Sequence, residues 1–324
     1  MADSYRKPEL SIAIPTCNGS WTISTALDSI LPQLEEGVEI VISDNASTDN
    51  TAQIINLYQK TNPSIRYFRN DENVGFDRNV DLAVRRAKGT FVWLFADDDI
   101  MHIGGIKKVL DVIKEQSKMA EIYVDSLSPY TNLSEDCICR TGDEFFTQTA
   151  FRCGGLTSNV VNKQIWESLD LSPYFGTGWI HVIFLIVALS TNYAYLCKES
   201  FKSEILISHK RWGANGSRFY VGLNIVEAYQ MMHLFGYSPE TVRRAILNHK
   251  RGYIRIIPKA KAEGLKTNTV LLKRCINLYK KFPSFWLIDL PLLLVPGFCY
   301  KPVAFLYKKF FTPIIPGHVG VSVK

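Results

Sequence analysis

Apolar positions over the first hundred residues follow two periods that alternate along the chain. Short apolar runs with little polar interruption predict buried strands at 10–14, 38–42, 65–68 and 90–95. Helical spacing of apolar residues predicts helices at 21–34, 51–60 and 77–87. Because each predicted strand is apolar on both faces, the alternation indicates a parallel sheet covered by helices, an α/β fold.

Local signals place the ends of two of these helices and outline the rest of the chain. Ser47, Thr48 and Asp49 are predicted N-cap residues for the helix at 51–60, and Gly89 is predicted to close the helix at 77–87. The later pattern is weaker and predicts a strand at 121–125, loops over 126–155, a strand and helix at 160–169, a helix at 182–190, a strand and a basic loop within 201–218, and helices from 220 onward.

Polar residues follow three of the predicted parallel strands. Thr16 and Asn18 come after the first strand, Asp44 after the second, and Asp97-Asp98-Asp99 after the fourth. Open α/β sheets bind ligands beyond the carboxyl ends of their strands. The sequence therefore predicts a binding crevice at this edge of the sheet.

Three consecutive carboxylates, Asp97, Asp98 and Asp99, are the sharpest chemical signal. Like charges at the end of an apolar strand repel one another and lose hydration, so a cation would stabilise them. Oxygen ligands suit Mg²⁺ or Mn²⁺, which can bridge to phosphate oxygens. Aspartates are also typical of a helix N-terminus, which is the structural alternative.

Other candidates each have a structural alternative as well. Asp44 could bind a nucleobase or ribose, or form an Asx-turn. Arg78 could contact a phosphate, or be a solvated surface residue. His181 has a pKa suited to a general base, or could be a hydrogen-bonded structural residue. The basic loop at 209–218, which contains Arg211, could hold phosphates, or be solvated.

Charge and composition restrict the partners and the cellular location that we expect for the protein. The net charge is +6, and basic residues gather after about residue 240, which indicates nucleic acid or an anionic membrane. Residues 282–311 mix aromatic residues with lysines, which favours an interfacial anchor; a helical subdomain on the core is the alternative. We expect no spanning helix, no signal peptide and reduced cysteines, because no long apolar run, apolar leader or CxxC pair occurs.

Four ordered motifs resemble family 2 glycosyltransferases, most closely the abequosyltransferase-like enzymes of O-antigen synthesis. They are Pro15-Thr-Cys-Asn18, Ile42-Ser-Asp-Asn-Ala-Ser-Thr-Asp-Asn-Thr51, Asn73-Val-Gly-Phe-Asp-Arg-Asn79 and Phe95-Ala-Asp-Asp-Asp99. A weaker similarity continues to about residue 215. The resemblance implies a GT-A fold, a Rossmann-like nucleotide-diphospho-sugar transferase sheet with a C-terminal helical extension. It divides the chain into a nucleotide-sugar-binding half at 1–110, an acceptor-binding half at 111–218, and a basic and aromatic helical region at 219–324.

The resemblance also implies roles for individual residues. The residues expected to bind the nucleotide-sugar donor are Pro15, Thr16, Asn18, Asp44, Asn73, Arg78, Asp97 and Asp98. Asp97 and Asp99 flank a Mg²⁺ or Mn²⁺ ion, with Asp99 the more direct ligand. His181 is the candidate base for an inverting displacement, and Arg211 would stabilise the departing nucleoside diphosphate. The implied donor is a nucleotide sugar, with a CDP-linked dideoxyhexose suggested by the subgroup. The implied acceptor is a polyprenyl-diphosphate-linked oligosaccharide at the cytoplasmic face of the inner membrane.

Two departures from the family pattern leave other functions open. Ala96 stands where the family often has an aspartate, and Ile180-His181 replaces the usual Glu-Asp dyad. The missing dyad favours an inactive, membrane-docked scaffold. A nucleotidyltransferase of similar fold is a further alternative, although the loop Pro15–Gly19 lacks the Gly-rich basic pattern of such enzymes. Nucleic-acid binding is not expected, because the basic tail contains no recognition motif.

Overall fold

The computed structural model describes residues 7–124, 133–204, 217–253 and 256–300. The chain divides into two compact units, each built from two stretches. The first comprises residues 1–208 and 228–246, and the second comprises residues 209–227 and 247–324. The predicted division at 110 and 218 into donor, acceptor and helical regions stays a prediction.

The first unit is built on an eight-stranded sheet. Its strands and those of a small second sheet are β1 (Leu10–Thr16), β2 (Val38–Asp44), β3 (Ile65–Arg69), β4 (Phe91–Leu94), β5 (Asp99–Met101), β6 (Glu121–Tyr123), β7 (Cys137–Cys139), β8 (Asn159–Asn162), β9 (Ala194–Leu196) and β10 (Lys202–Glu204). The large sheet has the order β3-β2-β1-β4-β8-β6-β9-β7. Strands β3, β2, β1 and β4 are parallel, whereas β8 runs antiparallel to β4 and β6.

Helices cover both faces of this sheet. They are α1 (Ile23–Ile30), α2 (Thr51–Thr61), α3 (Phe76–Arg86), α4 (Gly105–Glu115), α5 (Gly142–Gln148), α6 (Lys163–Ser168) and α7 (Ile180–Ala188). On one face, Ile12, Ile40 and Trp93 pack with residues of α1 and α4 such as Leu27 and Val109. This close-packed core holds the carboxyl ends of the parallel strands in fixed positions.

The remaining helices run through both units. They are α8 (Ser217–Met231), α9 (Pro239–Tyr253), α10 (Ile256–Ala262), α11 (Thr269–Tyr279) and α12 (Leu290–Leu294), with a π-helical turn at Phe285–Asp289. Of the helices that the structure describes, none combines the length and the apolar character needed to cross a bilayer.

The strands and helices predicted for the first hundred residues are confirmed, except that one helix ends earlier than predicted. The helix predicted over 21–34 ends at Ile30, because Pro32 follows and a 3₁₀ turn continues from Leu31 to Gln33. The structure also confirms the α/β fold class.

Three local predictions are wrong. Asn50 is the N-cap residue of α2, although Asp49 Oδ1 still accepts a hydrogen bond from the Thr51 amide (3.0 Å). Gly89 does not close α3, which ends at Arg86; a Cβ on Gly89 would lie 2.6 Å from the Ser11 nitrogen, so this glycine permits close packing on β1. The segment predicted as loops over 126–155 contains β7 and α5.

Candidate active site

Loops after β1, β2 and β3 are hydrogen-bonded together at the carboxyl edge of the sheet. The backbone amide of Asn18, in the loop after β1, donates to Ser47 Oγ in the loop after β2 (2.8 Å). Asn18 Oδ1 accepts from the Thr48 amide in the same second loop (2.8 Å). Asn18 has a φ of 55°, a left-handed conformation that asparagine tolerates better than most residues. The side chain of Asn18 therefore joins two loops, while the residue itself remains exposed.

Asn45 and Asn73 connect the second loop to the third. Asn45 Nδ2 donates to Asn73 Oδ1 (2.9 Å), and Asn45 Oδ1 accepts from the Val74 amide (2.9 Å). Asn73 is exposed, and its Nδ2 lies 3.6 Å from the sulfur of Cys17 in the first loop. Three of the four resemblance motifs thus meet through side-chain amides.

The fourth motif joins this edge through Asp97. Thr16 Oγ1, at the end of β1, donates a hydrogen bond to Asp97 Oδ2. Asp97 and Asp99 are both buried, whereas Asp98 is half-buried. The triplet does not begin a helix, because Asp99 enters β5 and α4 starts only at Gly105. The helix-terminus alternative for these aspartates is therefore excluded.

The donor set at Asp97 and Asp99 fits a divalent cation. Two carboxylates two residues apart supply hard oxygen ligands, and Mg²⁺ is commonly bound through one or two carboxylates, with water and substrate phosphates as the remaining ligands. Within the described ranges, no three His, Cys, Asp or Glu side chains are grouped so that the protein alone could enclose a metal ion. A cation here would depend on the phosphates of a bound ligand for part of its coordination.

Asp44 lies in a buried hydrogen-bond network. Its Oδ2 accepts from Tyr67 Oη (2.6 Å) and lies 3.6 Å from Arg69 Nε, while its Oδ1 accepts from the Ser47 amide (2.9 Å). Burial and the neighbouring Asp44 carboxylate raise the pKa of Tyr67, so this phenol stays a donor. The last of these contacts reaches three residues ahead, one further than the predicted Asx-turn, and it shapes the loop after β2.

The other predicted donor-binding residues lie around this edge. Pro15 is buried within β1, and Arg78 is exposed on the first turn of α3. Arg211 lies outside the described residues, as do the neighbouring positions of its basic loop.

His181 is almost completely buried, on the first turn of α7. Its Nε2 is 3.0 Å from the Gly154 carbonyl, which can only accept, so the hydrogen-bond network assigns the proton to Nε2 and the lone pair to Nδ1. Among the described residues, Nδ1 has no hydrogen-bond partner. Burial lowers the pKa of His181, and the Gly154 carbonyl and Asp77 oppose that shift. The imidazole is therefore neutral at pH 7.

The loop whose Gly154 carbonyl accepts a hydrogen bond from His181 also contacts the residue before the aspartate triplet. Thr157 Oγ1, three residues after Gly154, accepts from the Ala96 amide (2.9 Å), beside Asp97. The Thr157 carbonyl accepts from Trp93 Nε1 (2.8 Å). This short loop therefore connects the environment of His181 to the end of β4.

Asp77 is a residue of the site that the sequence patterns missed. It is buried, and its carboxylate accepts from the amides of Gly178 (2.7 Å) and Ile180 (3.1 Å) at the start of α7. An acceptor at these amides satisfies donors that a helix N-terminus leaves unpaired. Asp77 thus connects the motif Asn73–Asn79 to the helix that contains His181. The sequence could have indicated this contact, because the motif and Gly176–His181 both belong to the resemblance.

An open cleft of about 550 Å³ lies at the opposite edge of the sheet. It is lined by Pro8 and Thr90, which precede β1 and β4, and by Lys163, which follows β8. None of the predicted site residues that the structure describes lines this cleft. The candidate site is therefore defined by its polar loops and not by cavity size.

The chain is similar in sequence to known glycosyltransferases. The abequosyltransferase RfbV of Salmonella typhimurium is 31% identical over 207 residues, 56% of this chain and 61% of that protein. A GalNAc(5)-diNAcBac-PP-undecaprenol beta-1,3-glucosyltransferase of Campylobacter jejuni is 31% identical over 109 residues, 33% of this chain and 35% of that protein. The chain thus spans less than two thirds of the length of either relative.

Solved structures share the fold at low identity. S. aureus TarS 1-349 superposes with a TM-score of 0.61 at 14% identity, over 93% of this chain and 91% of that one. The mannosyltransferase PcManGT from Pyrobaculum calidifontis, in complex with GDP-Man and Mn²⁺, has a TM-score of 0.56 at 16% identity, over 94% and 89%. The fold is GT-A. The model of glycosyl transferase family 2 matches residues 11–156, which contain all four motifs.

Proposed function

We propose that the protein is a metal-dependent glycosyltransferase that moves a sugar from a nucleotide-sugar donor to a lipid-linked oligosaccharide in surface polysaccharide synthesis. The observation that carries the proposal is the convergence of Thr16, Asn18, Asn73 and Asp97 at one edge of the sheet. Four loops from separate strands are fastened there by their own side chains. Such preorganised polar loops at the carboxyl ends of parallel strands suit a nucleotide.

Structural relatives support the choice of donor. TarS 1-349 has been solved with UDP-GlcNAc, and PcManGT with GDP-Man and Mn²⁺. The similarity to an abequosyltransferase favours a CDP-linked dideoxyhexose for this chain. Asp44 and Pro15 would face the nucleoside, with Asn73 and Arg78 beside it.

Asp97 and Asp99 would hold a Mg²⁺ or Mn²⁺ ion, with Asp98 next to the diphosphate. When bound, the cation would neutralise negative charge on the departing nucleoside diphosphate. The exposed guanidinium of Arg78 and the basic residue Arg211 carry positive charge suited to the same phosphates.

His181 is the proposed base of a single, inverting displacement. A neutral imidazole with a free lone pair at Nδ1 can take the proton from an acceptor hydroxyl as that oxygen attacks the anomeric carbon. The hydrogen bond from Nε2 to Gly154 fixes the ring and stabilises the imidazolium that forms. The rings of Phe76 and Trp179, with centroids 6.4 and 6.0 Å from the imidazole, help to exclude water.

We place the acceptor on a lipid carrier at the cytoplasmic face of the inner membrane. The similarity to a glucosyltransferase named for an undecaprenol diphosphate acceptor supports this choice. The mixture of lysines and aromatic residues near the C-terminus supports a membrane surface as a partner.

Replacing Asp99 tests the proposal. We expect Asp99→Ala to lower kcat/KM for transfer by a factor on the order of 100 or more, because a lost cation removes several kcal/mol of transition-state stabilisation. Transfer would be measured with a panel of nucleotide sugars, Mn²⁺ and a polyprenyl-diphosphate-linked acceptor. Asp111→Ala is the matched control, since Asp111 lies on the surface of α4 and pairs with Lys107 (2.9 Å).

Two results would contradict the proposal. Normal, Mn²⁺-dependent activity of Asp99→Ala would remove the metal assignment. No turnover by the wild-type protein with any donor, with metal and acceptor present, would favour the inactive scaffold, and release of diphosphate from a nucleoside triphosphate plus sugar phosphate would favour the nucleotidyltransferase.

A further inference from the structure

The second unit exposes large apolar side chains within one short stretch. Trp286, Leu287 and Ile288 are consecutive, and Leu287 is 78% exposed; Leu294 and Phe298 follow, with Phe298 71% exposed. Elsewhere in the described ranges, exposed large apolar residues such as Leu57 occur singly. Single exposed residues are ordinary, whereas several exposed large apolar residues within one short segment indicate an interaction surface. We call these five residues the apolar patch.

A π-helical turn holds the first three residues of the apolar patch outward. The turn runs from Phe285 to Asp289, and both of these residues are buried. The ring of Phe285 lies 6.0 Å from that of Tyr279, and Asp289 Oδ2 is 2.5 Å from Lys250 Nζ. Because a π-helical turn has more than four residues, its first and last residues share one face and the three between them point away.

The segment after the turn is fixed as well. The Leu293 carbonyl accepts from Thr267 Oγ1 (2.7 Å) and Lys261 Nζ (3.0 Å), and Tyr300 Oη donates to the Leu292 carbonyl (2.8 Å). These bonds satisfy carbonyls at the end of α12, which Pro296 cannot continue. The exposure of the apolar patch is therefore built into the fold of this unit.

Two positively charged side chains lie beside the apolar patch. Lys280 and Lys281 are exposed, and the Lys280 carbonyl accepts from Trp286 Nε1 (3.0 Å). Residues 247–300 contain ten lysines and arginines but two acidic residues, Glu263 and Asp289. Asp289 is already paired with Lys250. A partner that covers this surface should therefore be both apolar and anionic.

We infer that the apolar patch inserts into the interfacial layer of an anionic bilayer, with Lys280 and Lys281 against the lipid phosphates. Tryptophan is favoured at the level of the headgroups, and leucine, isoleucine and phenylalanine bury below it. The inference deepens the proposed membrane location and rests on it for its biological purpose. It names the residues that make the contact and requires no spanning helix.

Vesicle flotation of the full-length protein tests the inference. We expect binding to vesicles that contain phosphatidylglycerol, and weaker binding to pure phosphatidylcholine. Leu287→Glu and the uncharged Leu287→Ser should each lower partitioning into vesicles about tenfold or more, because each removes a leucine side chain that the bilayer would bury. Leu57→Glu is the matched control, with the same change of charge at an exposed leucine of the first unit, and should bind as the wild type does.

Removing the two lysine charges separates the electrostatic component of binding from the apolar one. Replacing Lys280 and Lys281 by glutamine should weaken binding to phosphatidylglycerol vesicles roughly fivefold per lysine, and should leave phosphatidylcholine binding unchanged. Asp99→Ala should still bind vesicles, and Leu287→Glu should still transfer sugar to a soluble acceptor analogue. Failure of the membrane inference is thereby distinguished from failure of the proposed catalysis.

Three results would overturn the inference. The folded protein could fail to bind either vesicle, as expected if the chain's own residues 301–324 cover the patch. Leu287→Glu could bind like Leu57→Glu. Sedimentation could instead reveal a dimer that Leu287→Glu dissociates, which would assign the patch to a second copy of the chain.

Discussion

Side chains at the candidate site form hydrogen bonds mainly with the site's own loops. For this reason the sequence could indicate which residues belong to the site, but not which role each one has. Asp44, Asn18 and Asn73 each have a ligand-binding and a loop-shaping interpretation, and the structure shows loop-shaping bonds for all three. The two interpretations use the same chemistry, since a carboxylate or amide that orders a loop also lines it. For Asp97 to Asp99 the sequence allowed a helix terminus, which only the path of the chain into β5 excludes.

Replacing His181 tests its assignment as a base. We expect His181→Ala to lower kcat on the order of 100-fold, within the range for loss of a general base, while the nucleotide Kd changes less than threefold. Single-turnover transfer and calorimetric nucleotide binding would measure the two quantities. His233→Ala, at an exposed position of a 3₁₀ turn, is the control.

A structural role for His181 predicts a different pattern. Loss of the bond to Gly154 would then lower the melting temperature and leave kcat of the folded fraction unchanged. The rate profile also discriminates, because the lowered pKa of a catalytic His181 would place the acidic limb of kcat below pH 6.5.

Among elements, local signals were sufficient for the parallel half of the sheet and insufficient for the rest. Strands β1 to β4 and their helices follow one another along the chain, so periodicity locates them. Strand β5 pairs with β10, a partner about a hundred residues away, which no local pattern reveals. Helix α5 had a readable signal, since Thr141 and Glu144 have the spacing of a capping box. Thr141 Oγ1 accepts from the Glu144 amide (3.2 Å), although the Glu144 carboxylate accepts from the Arg140 amide (2.8 Å).

The contact between α3 and α7 gives a prediction for Asp77. We expect Asp77→Ala to lower the free energy of unfolding by about 2–4 kcal/mol, because it leaves the half-buried amide of Gly178 and the buried amide of Ile180 without this acceptor. Asp77→Asn keeps one acceptor oxygen and should recover about half of that loss. Urea denaturation would measure both variants.

Asp170→Ala is the control for Asp77, because Asp170 accepts from the Ser172 amide (3.1 Å) at an exposed loop. If Asp77→Ala unfolds at the same urea concentration as Asp170→Ala, Asp77 does not stabilise the start of α7. A kcat lowered together with stability, and restored by Asp77→Asn, would identify Asp77 as a positioning residue for His181.

For the molecule as a whole, stability should depend on pH through Glu121 in β6. Burial raises the pKa of this carboxyl well above its usual 4.5, with the Val160 amide opposing the effect. At a pH between 4.5 and the raised pKa of the folded state, the Glu121 carboxyl keeps a proton in the native protein that it has lost in the unfolded chain. The contribution of Glu121 is therefore fully present below pH 4.5 and is lost as pH rises, by at most about 1.4 kcal/mol per pH unit.

We accordingly expect Glu121→Gln to reduce the fall in unfolding free energy between pH 5 and pH 9. Chemical denaturation across that range would measure the slope, which does not depend on the absolute stability of the variant. Glu115→Gln, at an exposed position on α4, should keep the slope of the wild type. Equal slopes for the two variants would contradict the assigned titration of Glu121.

Because each compact unit takes in two stretches of chain, neither can be removed by a single cut. A protein shortened at residue 246 would retain residues 209–227, whose usual surroundings lie in the deleted part. Phe219 and Leu223, now almost completely buried, would then meet water, and Phe219 would lose Tyr279 and Phe285 as neighbours around a common cavity. Insolubility of such a fragment would reflect this helix, whose apolar side chains have lost their neighbours, and would carry no information about the eight-stranded sheet.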